Sequence, residues 1–227
     1  MSPAFACPVC RRAGAVPFVV VAGRNYRRCG RCLATFLEPA QRPSLEVERA
    51  HYRTHANAVD DPGYRRFLAR LATPLLARLA PRSKGLDFGC GNGPALAAML
   101  AEAGHAVALY DPLFRPDPAP LAAVYDFVTC TETIEHLHDP AGGFDLFDRL
   151  LRPGGRLGLM TCFQTDDARF AGWHYRRDPT HVVFYRAATL HRIAADRGWS
   201  CTIPEKDVAL LQKPAGVAPE RISPASA

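Results

Sequence analysis

The sequence predicts an α/β protein that carries a small cysteine-rich module at its N-terminus. Three observations support this fold class. Two Cys-x-x-Cys pairs lie within the first 32 residues, an apolar strand runs into a glycine-rich loop at residues 86–93, and short apolar strands alternate with helical segments after it. At 227 residues, 48% of them hydrophobic, the chain is long enough for one moderate α/β domain and a smaller unit.

The cysteine module is predicted to bind zinc. Cys7 and Cys10 form one pair and Cys29 and Cys32 the other, with eighteen residues between the pairs. Each pair can build a tight knuckle that directs two sulfurs at one ion, and two knuckles complete a tetrahedral four-thiolate site. Residues 16–22 and 24–28 are predicted to be the strands of a hairpin, so the module resembles a zinc ribbon.

We expect this zinc to be structural. A unit of about 40 residues has too little core to fold without a metal or disulfide, and four thiolates leave no open position for chemistry. Disulfides are the alternative pairing, which the absence of any sign of secretion disfavours.

The glycine-rich loop is the strongest functional signal. The strand ends at Asp87, and Gly89, Gly91 and Gly93 follow at every second position before the helical run 94–102. Such a loop presents backbone N–H groups at a helix N-terminus, and glycine lets a ligand approach the main chain closely. Asp87 adds a negative charge, which suits a ligand with a cationic group.

Further strands follow in the order expected of an open α/β sheet. Residues 105–110 form a strand that ends at Asp111, about 20 positions after the loop, where such folds hold a ribose. Residues 125–131 form a third strand, and 150–161 contain a helix end, a Pro-Gly-Gly turn and a fourth strand. Only thirteen residues, four of them proline, separate Asp111 from Tyr125.

The loop resembles motif I, D/E-x-G-x-G-x-G, of the class I S-adenosylmethionine (SAM) dependent methyltransferases, and the resemblance covers residues 60–212. It implies a Rossmann-like class I methyltransferase sheet and SAM as cofactor, with Asp87 and the glycines on its methionine part and Asp111 on its ribose. The family normally has a helix and a strand between Asp111 and Tyr125, so the adenine contact is left unassigned. Another Rossmann-like nucleotide-binding protein is the alternative. The full predicted cofactor set is Asp87, Gly89, Cys90, Gly91, Gly93, Asp111 and Thr131.

A cluster of acidic and histidine residues follows the third strand. If a helix begins at Thr131, Glu132, Glu135 and His136 share one of its faces, and His181 lies in a later loop. Two carboxylates and two imidazoles suit Mg²⁺, Mn²⁺, Zn²⁺ or Fe²⁺.

The pattern resembles those of the ubiquinone-pathway O-methyltransferases and the small-RNA 3′-terminal 2′-O-methyltransferases. In both groups the resemblance implies a divalent ion that binds the acceptor oxygen. His181, Glu135 and His136 are the catalytic candidates, and Glu132 joins them as a possible ligand. Two alternatives stay open: His181 acts alone as a general base, or the cluster only lines the cleft.

Two flanking segments are expected to contribute to the site. Residues 45–57 are predicted to be helical, with His51, Tyr52 and His55 facing the cleft. The long loop 163–185 is rich in aromatic residues, and Trp173 and Tyr175 are candidates to stack on a planar acceptor. A lid core is the alternative role for these aromatic residues.

Charge and composition limit the partners. Residues 1–56 contain nine arginines and three glutamates, a net charge of +6, while residues 57–227 contain nineteen basic and nineteen acidic residues. The excess on the N-terminal module indicates either an RNA partner or a solvated surface, and the surface is favoured. No segment has membrane-spanning length or the features of a signal peptide, so a cytoplasmic protein is expected.

Three functions are compatible with the sequence alone. The favoured one is O-methylation of a small-molecule hydroxyl, including aromatic acceptors, with or without a divalent ion. An RNA methyltransferase that docks nucleic acid through the ribbon is the second, and a non-catalytic SAM-binding interaction protein is the third. The predicted organisation is a zinc ribbon (1–40), a linker and helix (41–59), a methyltransferase domain (60–212) and a disordered tail (213–227).

Overall fold

The computed structural model describes residues 5–53 and 58–216. His55, the end of the predicted 45–57 helix and the tail from residue 217 onward lie outside the described residues. Among the described residues, no helix is long and apolar enough to cross a membrane. The strands are β1 (Ala15–Val21), β2 (Arg24–Cys29), β3 (Thr35–Leu37), β4 (Lys84–Phe88), β5 (Ala106–Tyr110), β6 (Tyr125–Thr131), β7 (Leu151–Met160), β8 (Val183–Phe184), β9 (Ser200–Glu205) and β10 (Val208–Gln212). The α-helices are α1 (Leu45–Tyr52), α2 (Pro62–Leu76), α3 (Ala95–Glu102), α4 (Pro140–Leu150), α5 (His174–Arg177) and α6 (Ala187–Asp196).

The main sheet has six strands in the order β5-β4-β6-β7-β10-β9. The strands β5, β4, β6 and β7 are parallel to one another, whereas β10 is antiparallel to both β7 and β9. Leu86, Phe127 and Val128 in the central strands are fully buried, as expected when helices cover both faces of a parallel sheet. The predicted Pro-Gly-Gly turn lies inside β7 as an irregular start of the strand, where Gly154 has a φ of +78°.

The sheet ends at β5 because the next segment cannot add a strand. Residues 112–124 contain only a 3₁₀ turn at Ala119–Ala122 and a short bridge between Asp111 and Arg115. Proline has no N–H to donate to a strand ladder, and four prolines fall in this segment. The predicted loss of a helix and a strand here is confirmed.

Helix boundaries follow local capping signals, and one expectation was wrong. Asp61 caps α2 by accepting a hydrogen bond from the Tyr64 N–H, and Pro62 follows it at the first helical position. No helix begins at Thr131, because residues 134–136 form a turn and α4 starts only at Pro140. The stronger start signal is Asp139, whose side chain accepts from the Gly142 N–H just before a first-turn proline.

The cysteine module forms a second sheet with part of the long loop. The β1–β2 hairpin forms as predicted, and the four-stranded sheet has the order β1-β2-β3-β8. Because β8 lies in the loop 163–185, the module and the larger domain share one sheet and one core. Tyr26 of the hairpin packs edge-on against Phe170 and Phe184, with ring centroids 5.0 and 6.0 Å away.

Candidate active site

The four cysteines of the N-terminal module converge. Their sulfurs lie within 4.8 Å of one another, with 3.6 Å separating Cys7 from Cys32 and Cys10 from Cys29. Sulfurs placed about 2.3 Å from a tetrahedral zinc ion are about 3.8 Å apart, whereas a disulfide requires about 2.05 Å. All four cysteines are free, so the donor set fits zinc.

The two knuckles have the same backbone geometry. Each first cysteine accepts an N–H bond at its carbonyl from the residue four positions later, at 2.8 Å from Arg11 and 3.0 Å from Leu33. Those two residues also share a positive φ, +57° and +64°. A hydrogen bond from the Cys32 thiol lowers the pKa of Cys7 to about 6, which favours a thiolate.

The glycine loop has the conformation expected of a ligand cradle. Gly89 and Gly91 have φ values of +74° and +63°, which L side chains adopt rarely. A Cβ atom on Gly91 would meet nothing within 4 Å, so the main chain is open to a ligand there. The loop leads into α3, as predicted.

Asp87 lies beneath the loop and is almost completely buried. Its Oδ1 accepts a hydrogen bond from the Thr129 hydroxyl at 2.7 Å. Burial raises the pKa of Asp87 to about 6, although the hydrogen bond from Thr129 lowers it. A cationic group bound beside Asp87 would therefore stabilise the carboxylate that burial disfavours.

Asp111 holds the loop and the following turn. Its Oδ2 accepts from the Gly91 N–H at 3.0 Å, and its Oδ1 accepts from the N–H groups of Leu113 and Phe114 at 2.8 and 3.0 Å. Each carboxylate oxygen has two lone pairs, so Asp111 keeps capacity for a further donor such as a ribose hydroxyl. Cys90 beside it is buried, and burial raises the pKa of its thiol to about 12.

A second cluster lies on the turn after β6. One ligand atom each from Glu135, His136 and His181 lies within 4.8 Å of the other two. The Nε2 atoms of His136 and His181 are 3.8 and 4.0 Å from Glu135 Oε1. Glu135 is fully buried, and its Oε2 has no hydrogen-bond partner among the described residues. A buried carboxylate with one oxygen near two imidazoles and the other oxygen without a hydrogen bond fits a cation.

Both histidines turn the same nitrogen toward Glu135. His136 Nδ1 lies 3.1 Å from the Thr180 carbonyl, and His181 Nδ1 lies 2.7 Å from the Tyr175 carbonyl. Because a carbonyl only accepts, each Nδ1 carries a proton, so each Nε2 offers a lone pair to a metal ion when its ring is neutral. Burial lowers the pKa of His136 to about 4, so this ring is neutral near pH 7 and can bind a metal.

Tyr175 is buried beside Glu135, contrary to its expected role as a stacking surface for an acceptor. Its hydroxyl donates to Glu135 Oε1 at 2.6 Å and lies 3.0 Å from the Thr161 hydroxyl. Its ring packs on His181, with centroids 4.1 Å apart. The Tyr175 side chain therefore fixes both Glu135 and His181.

Glu132 stands apart from the three convergent residues. Its backbone has a φ of +46°, and its Oε2 lies 3.1 Å from the Tyr175 hydroxyl. Burial and the neighbouring charge of Glu135 raise the pKa of Glu132 to about 9, so it is protonated near pH 7. We therefore leave Glu132 out of the proposed ligand set, although the sequence placed it there.

Helix α1 covers this cluster, as the sequence suggested for His51 and Tyr52. His51 Nε2 lies 3.1 Å from Asp178 Oδ2, and the Tyr52 ring packs edge-on against His136 at 5.2 Å. Burial alone would raise the pKa of Asp178, but hydrogen bonds from Thr180 and the charge of His181 lower it to about 2. Asp178 is thus an anion beside the histidines.

The glycine loop and the histidine cluster adjoin each other. Thr133, two residues before Glu135, contacts Gly89: its hydroxyl lies 3.4 Å from the Gly89 carbonyl. A Cβ on Gly89 would approach the Thr133 side chain to 2.4 Å, so glycine is required for this contact. The glycine loop and the turn that carries Glu135 and His136 are therefore direct neighbours in the fold.

A family model described as a methyltransferase domain matches residues 61–202, more than half of the chain. The chain belongs to the methyltransferase-domain family. Its central sheet with a parallel core has the Rossmann-like class I SAM-dependent methyltransferase fold, as the sequence predicted, without the strand that the family normally has after Asp111.

Curated relatives of this methyltransferase include ubiquinone biosynthesis O-methyltransferases from Xylella fastidiosa strains, which are 29% identical over an alignment covering 35% of this chain and 42% of theirs. The chain thus aligns with less than half the length of these relatives.

Solved methyltransferases share the fold. One is the 1,6-didemethyltoxoflavin-N1-methyltransferase of Burkholderia thailandensis, bound to its substrate and S-adenosylhomocysteine, with a TM-score of 0.53 and 20% identity over 87% of this chain and 99% of that one. Another is the magnesium protoporphyrin IX methyltransferase of Synechocystis PCC 6803 with bound S-adenosylhomocysteine, with a TM-score of 0.50 and 18% identity over 75% and 94% of the two chains.

Sequence reasoning missed two groups in the methyltransferase site. Asp178 and Thr180 form a local turn, in which the Asp178 side chain accepts from the Thr180 N–H at 2.8 Å, and this turn presents the carbonyl that orients His136. The dipeptide Asp178-Pro179 is a turn signal that could have indicated it. The role of the Tyr175 hydroxyl depends on a contact 40 residues away in sequence, and no local pattern indicates it.

Proposed function

We propose that this methyltransferase transfers the methyl group of SAM to a hydroxyl of a small molecule with the help of a divalent ion. The observation that supports this most is the convergence of Glu135, His136 and His181 next to the glycine loop. One ligand atom from each of these residues lies within 4.8 Å of the other two, and the buried carboxylate has a second oxygen without a hydrogen-bond partner among the described residues. The weak similarity to ubiquinone O-methyltransferases favours oxygen as the acceptor atom.

The glycine-loop residues would hold the cofactor. Asp87 would pair with the cationic ammonium group of SAM, Asp111 would accept from a ribose hydroxyl, and the glycines at 89, 91 and 93 would allow close approach of the methionine part. Cys90 and Thr131 complete the proposed set at the loop and at the end of β6. SAM, when bound, supplies an electrophilic methyl group that needs no further activation.

The cluster residues would prepare the acceptor. A divalent ion, such as Mg²⁺ or Mn²⁺, lowers the pKa of a hydroxyl and fixes its oxygen when bound by such donors. Glu135, His136 and His181 would bind it, and Tyr175 would orient the first and the last of these. Alignment of the oxygen with the methyl group is then a matter of positioning by the protein.

The cysteine site would hold zinc in a structural role. Cys7, Cys10, Cys29 and Cys32 leave no position open for a substrate, and three of the four are buried. The ribbon therefore supports the fold rather than the methyl transfer itself.

The charge arrangement favours a small acceptor over nucleic acid. Arginines of the ribbon pair with aspartates of the larger domain: Arg11 with Asp145, Arg28 with Asp167 and Arg31 with Asp196, each at 2.7 Å. Arg27 pairs with Glu38 inside the ribbon at 2.6 Å. Much of the basic excess is therefore used within the molecule.

The test is an acceptor comparison with radiolabelled SAM. Zinc-loaded protein is incubated with an aromatic carboxylic acid that carries two adjacent hydroxyl groups. The matched control is the same acid with amino groups in place of both hydroxyls, and each compound is tested with and without added Mg²⁺. We expect methyl transfer to the catechol only, at least tenfold faster with Mg²⁺. Ion-independent transfer would favour His181 acting alone as the base, and transfer to the diamine would contradict O-methylation.

A further inference from the structure

The first zinc knuckle contacts the helix that follows the Glu135–His136 turn. The Pro8 carbonyl, between Cys7 and Cys10, accepts a hydrogen bond at 3.1 Å from the Ala141 N–H. Ala141 lies in the first turn of α4, where N–H groups have no partner within the helix. The knuckle therefore provides a hydrogen-bond acceptor for an N–H group in the first turn of α4. This bond fixes one end of the turn that carries Glu135.

The second knuckle reaches His181 through β3. This strand begins three residues after Cys32 and pairs with β8, and the Leu37 N–H donates to the Val182 carbonyl at 2.9 Å. The N–H groups of Val182 and Val183 both donate to the Glu135 carbonyl, at 2.9 and 3.0 Å. The residue after His181 is thus held between the ribbon and Glu135.

Tyr185 joins the two regions through the core. It is fully buried, belongs to the same hydrophobic cluster as Cys7, Cys29 and Cys32, and donates from its hydroxyl to the Ile134 carbonyl at 3.0 Å. Its side chain fills the space between the cysteine site and the backbone next to Glu135. Movement of either region would disturb this packing, since protein interiors hold few voids.

We propose that the zinc ribbon positions the Glu135, His136 and His181 cluster, so that filling the cysteine site strengthens ion binding at the cluster although the two sites share no ligand. Pro8 and Leu37 act as positioning residues through their backbone groups. Coupling of this kind is reciprocal, so an ion at the cluster also raises the affinity of the cysteines for zinc. The ion-binding part rests on the proposed function, whereas the positioning part does not.

The experiment uses the full chain in zinc-loaded and zinc-depleted form. Cys10→Ser weakens the knuckle at the least buried of the four cysteines, and Cys201→Ser, on β9, is the matched control outside the ribbon. Three quantities are measured: hydrogen exchange at the amides of Ala141, Val182 and Val183, Mn²⁺ binding by electron paramagnetic resonance, and S-adenosylhomocysteine binding by calorimetry.

Zinc depletion and Cys10→Ser are both expected to speed exchange at the three amides at least tenfold and to weaken Mn²⁺ binding about tenfold. S-adenosylhomocysteine affinity should stay within about threefold, and Cys201→Ser should behave as wild type. Unchanged exchange at the three amides would overturn the proposal. Loss of S-adenosylhomocysteine binding together with the amide protection would also overturn it, because the ribbon would then support the whole fold rather than the cluster. If zinc-loaded wild type binds no Mn²⁺, the ion site of the proposed function fails, while the exchange result still decides the positioning role.

Discussion

Tyr175 illustrates how one buried residue fixes two others, one through its side chain and one through its backbone. Its hydroxyl donates to Glu135 at 2.6 Å, and its carbonyl accepts from His181 Nδ1 at 2.7 Å. Removing the hydroxyl in Tyr175→Phe leaves the His181 bond intact but frees the Glu135 carboxylate. We expect Mn²⁺ affinity to fall about 10-fold to 100-fold, the usual effect of losing a group that orients a ligand.

The matched control is Tyr26→Phe. The Tyr26 hydroxyl is also buried but has no hydrogen-bond partner among the described residues, so its removal should leave Mn²⁺ binding unchanged. Titrations followed by electron paramagnetic resonance measure both variants. Equal affinities for Tyr175→Phe and wild type would contradict the orienting role.

Glu132 is predicted to destabilise the protein at alkaline pH. Its pKa is about 9 when folded, against an ordinary value of 4.5, so the folded state binds the proton more tightly. The contribution of this group to stability is therefore full below about pH 4.5 and is lost as the pH rises toward 9. Glu132→Gln has nearly the shape of the protonated glutamate and cannot ionise, so its stability should not fall in this pH range.

At pH 8.5 we expect the free energy of unfolding of Glu132→Gln to exceed that of wild type by more than about 1 kcal/mol. At pH 4.5 the two free energies should be equal. Urea unfolding of zinc-loaded protein without added Mg²⁺ or Mn²⁺ measures the difference. If the difference in free energy of unfolding between the variant and wild type does not change with pH, Glu132 is ionised in the folded state.

Asp87 is expected to make cofactor binding depend on pH. Its carboxyl has a pKa of about 6 because it is buried, and a bound ammonium group favours the ionised form. Affinity for S-adenosylhomocysteine should therefore fall as the pH drops below about 6, by up to tenfold per pH unit.

Asp87→Asn should bind S-adenosylhomocysteine more than about tenfold more weakly at pH 7.5 and lose the change between pH 7.5 and 5. Calorimetry at both pH values tests this. Persistence of the same pH dependence in the variant would assign it to another group.

At the scale of single elements, local signals were sufficient for the parallel strands and the knuckles. The β6 bounds agree with the prediction because Tyr125–Thr131 is a short apolar run with clear ends. The helix expected at Thr131 failed because Asp139 and Pro140 form a stronger start eight residues later. The β3–β8 pair joins residues about 150 positions apart, and no short-range pattern predicts such pairing.

The cap of α4 is a quantitative test at this scale. Asp139 accepts from the Gly142 N–H at 3.0 Å, and replacing such a cap with alanine costs about 1 kcal/mol. Asp139→Ala should therefore lower the free energy of unfolding by about that amount in a urea titration. An unchanged free energy of unfolding would mean that water or another group accepts the hydrogen bond of the Gly142 N–H in the variant.

Over the whole molecule, the ribbon and the larger domain form one core rather than two units joined by a linker. The sequence indicated the ribbon, the sheet and most residues of the candidate site, because each has a local motif. It could not indicate that Arg11, Arg28 and Arg31 pair with Asp145, Asp167 and Asp196, since those pairs depend on tertiary docking. The sequence left an RNA partner and a solvated surface open, with the surface favoured, and these ion pairs add a third use for the basic residues of the N-terminal module.

The most direct test of the proposed function is whether the cluster binds a divalent ion. Zinc-loaded protein is titrated with Mn²⁺ in the presence of S-adenosylhomocysteine and followed by electron paramagnetic resonance, with Glu135→Gln and His181→Ala beside wild type. We expect one Mn²⁺ site in wild type and its loss in both variants, with S-adenosylhomocysteine binding retained. No site in wild type, or the same site in both variants, would contradict ion-assisted methyl transfer.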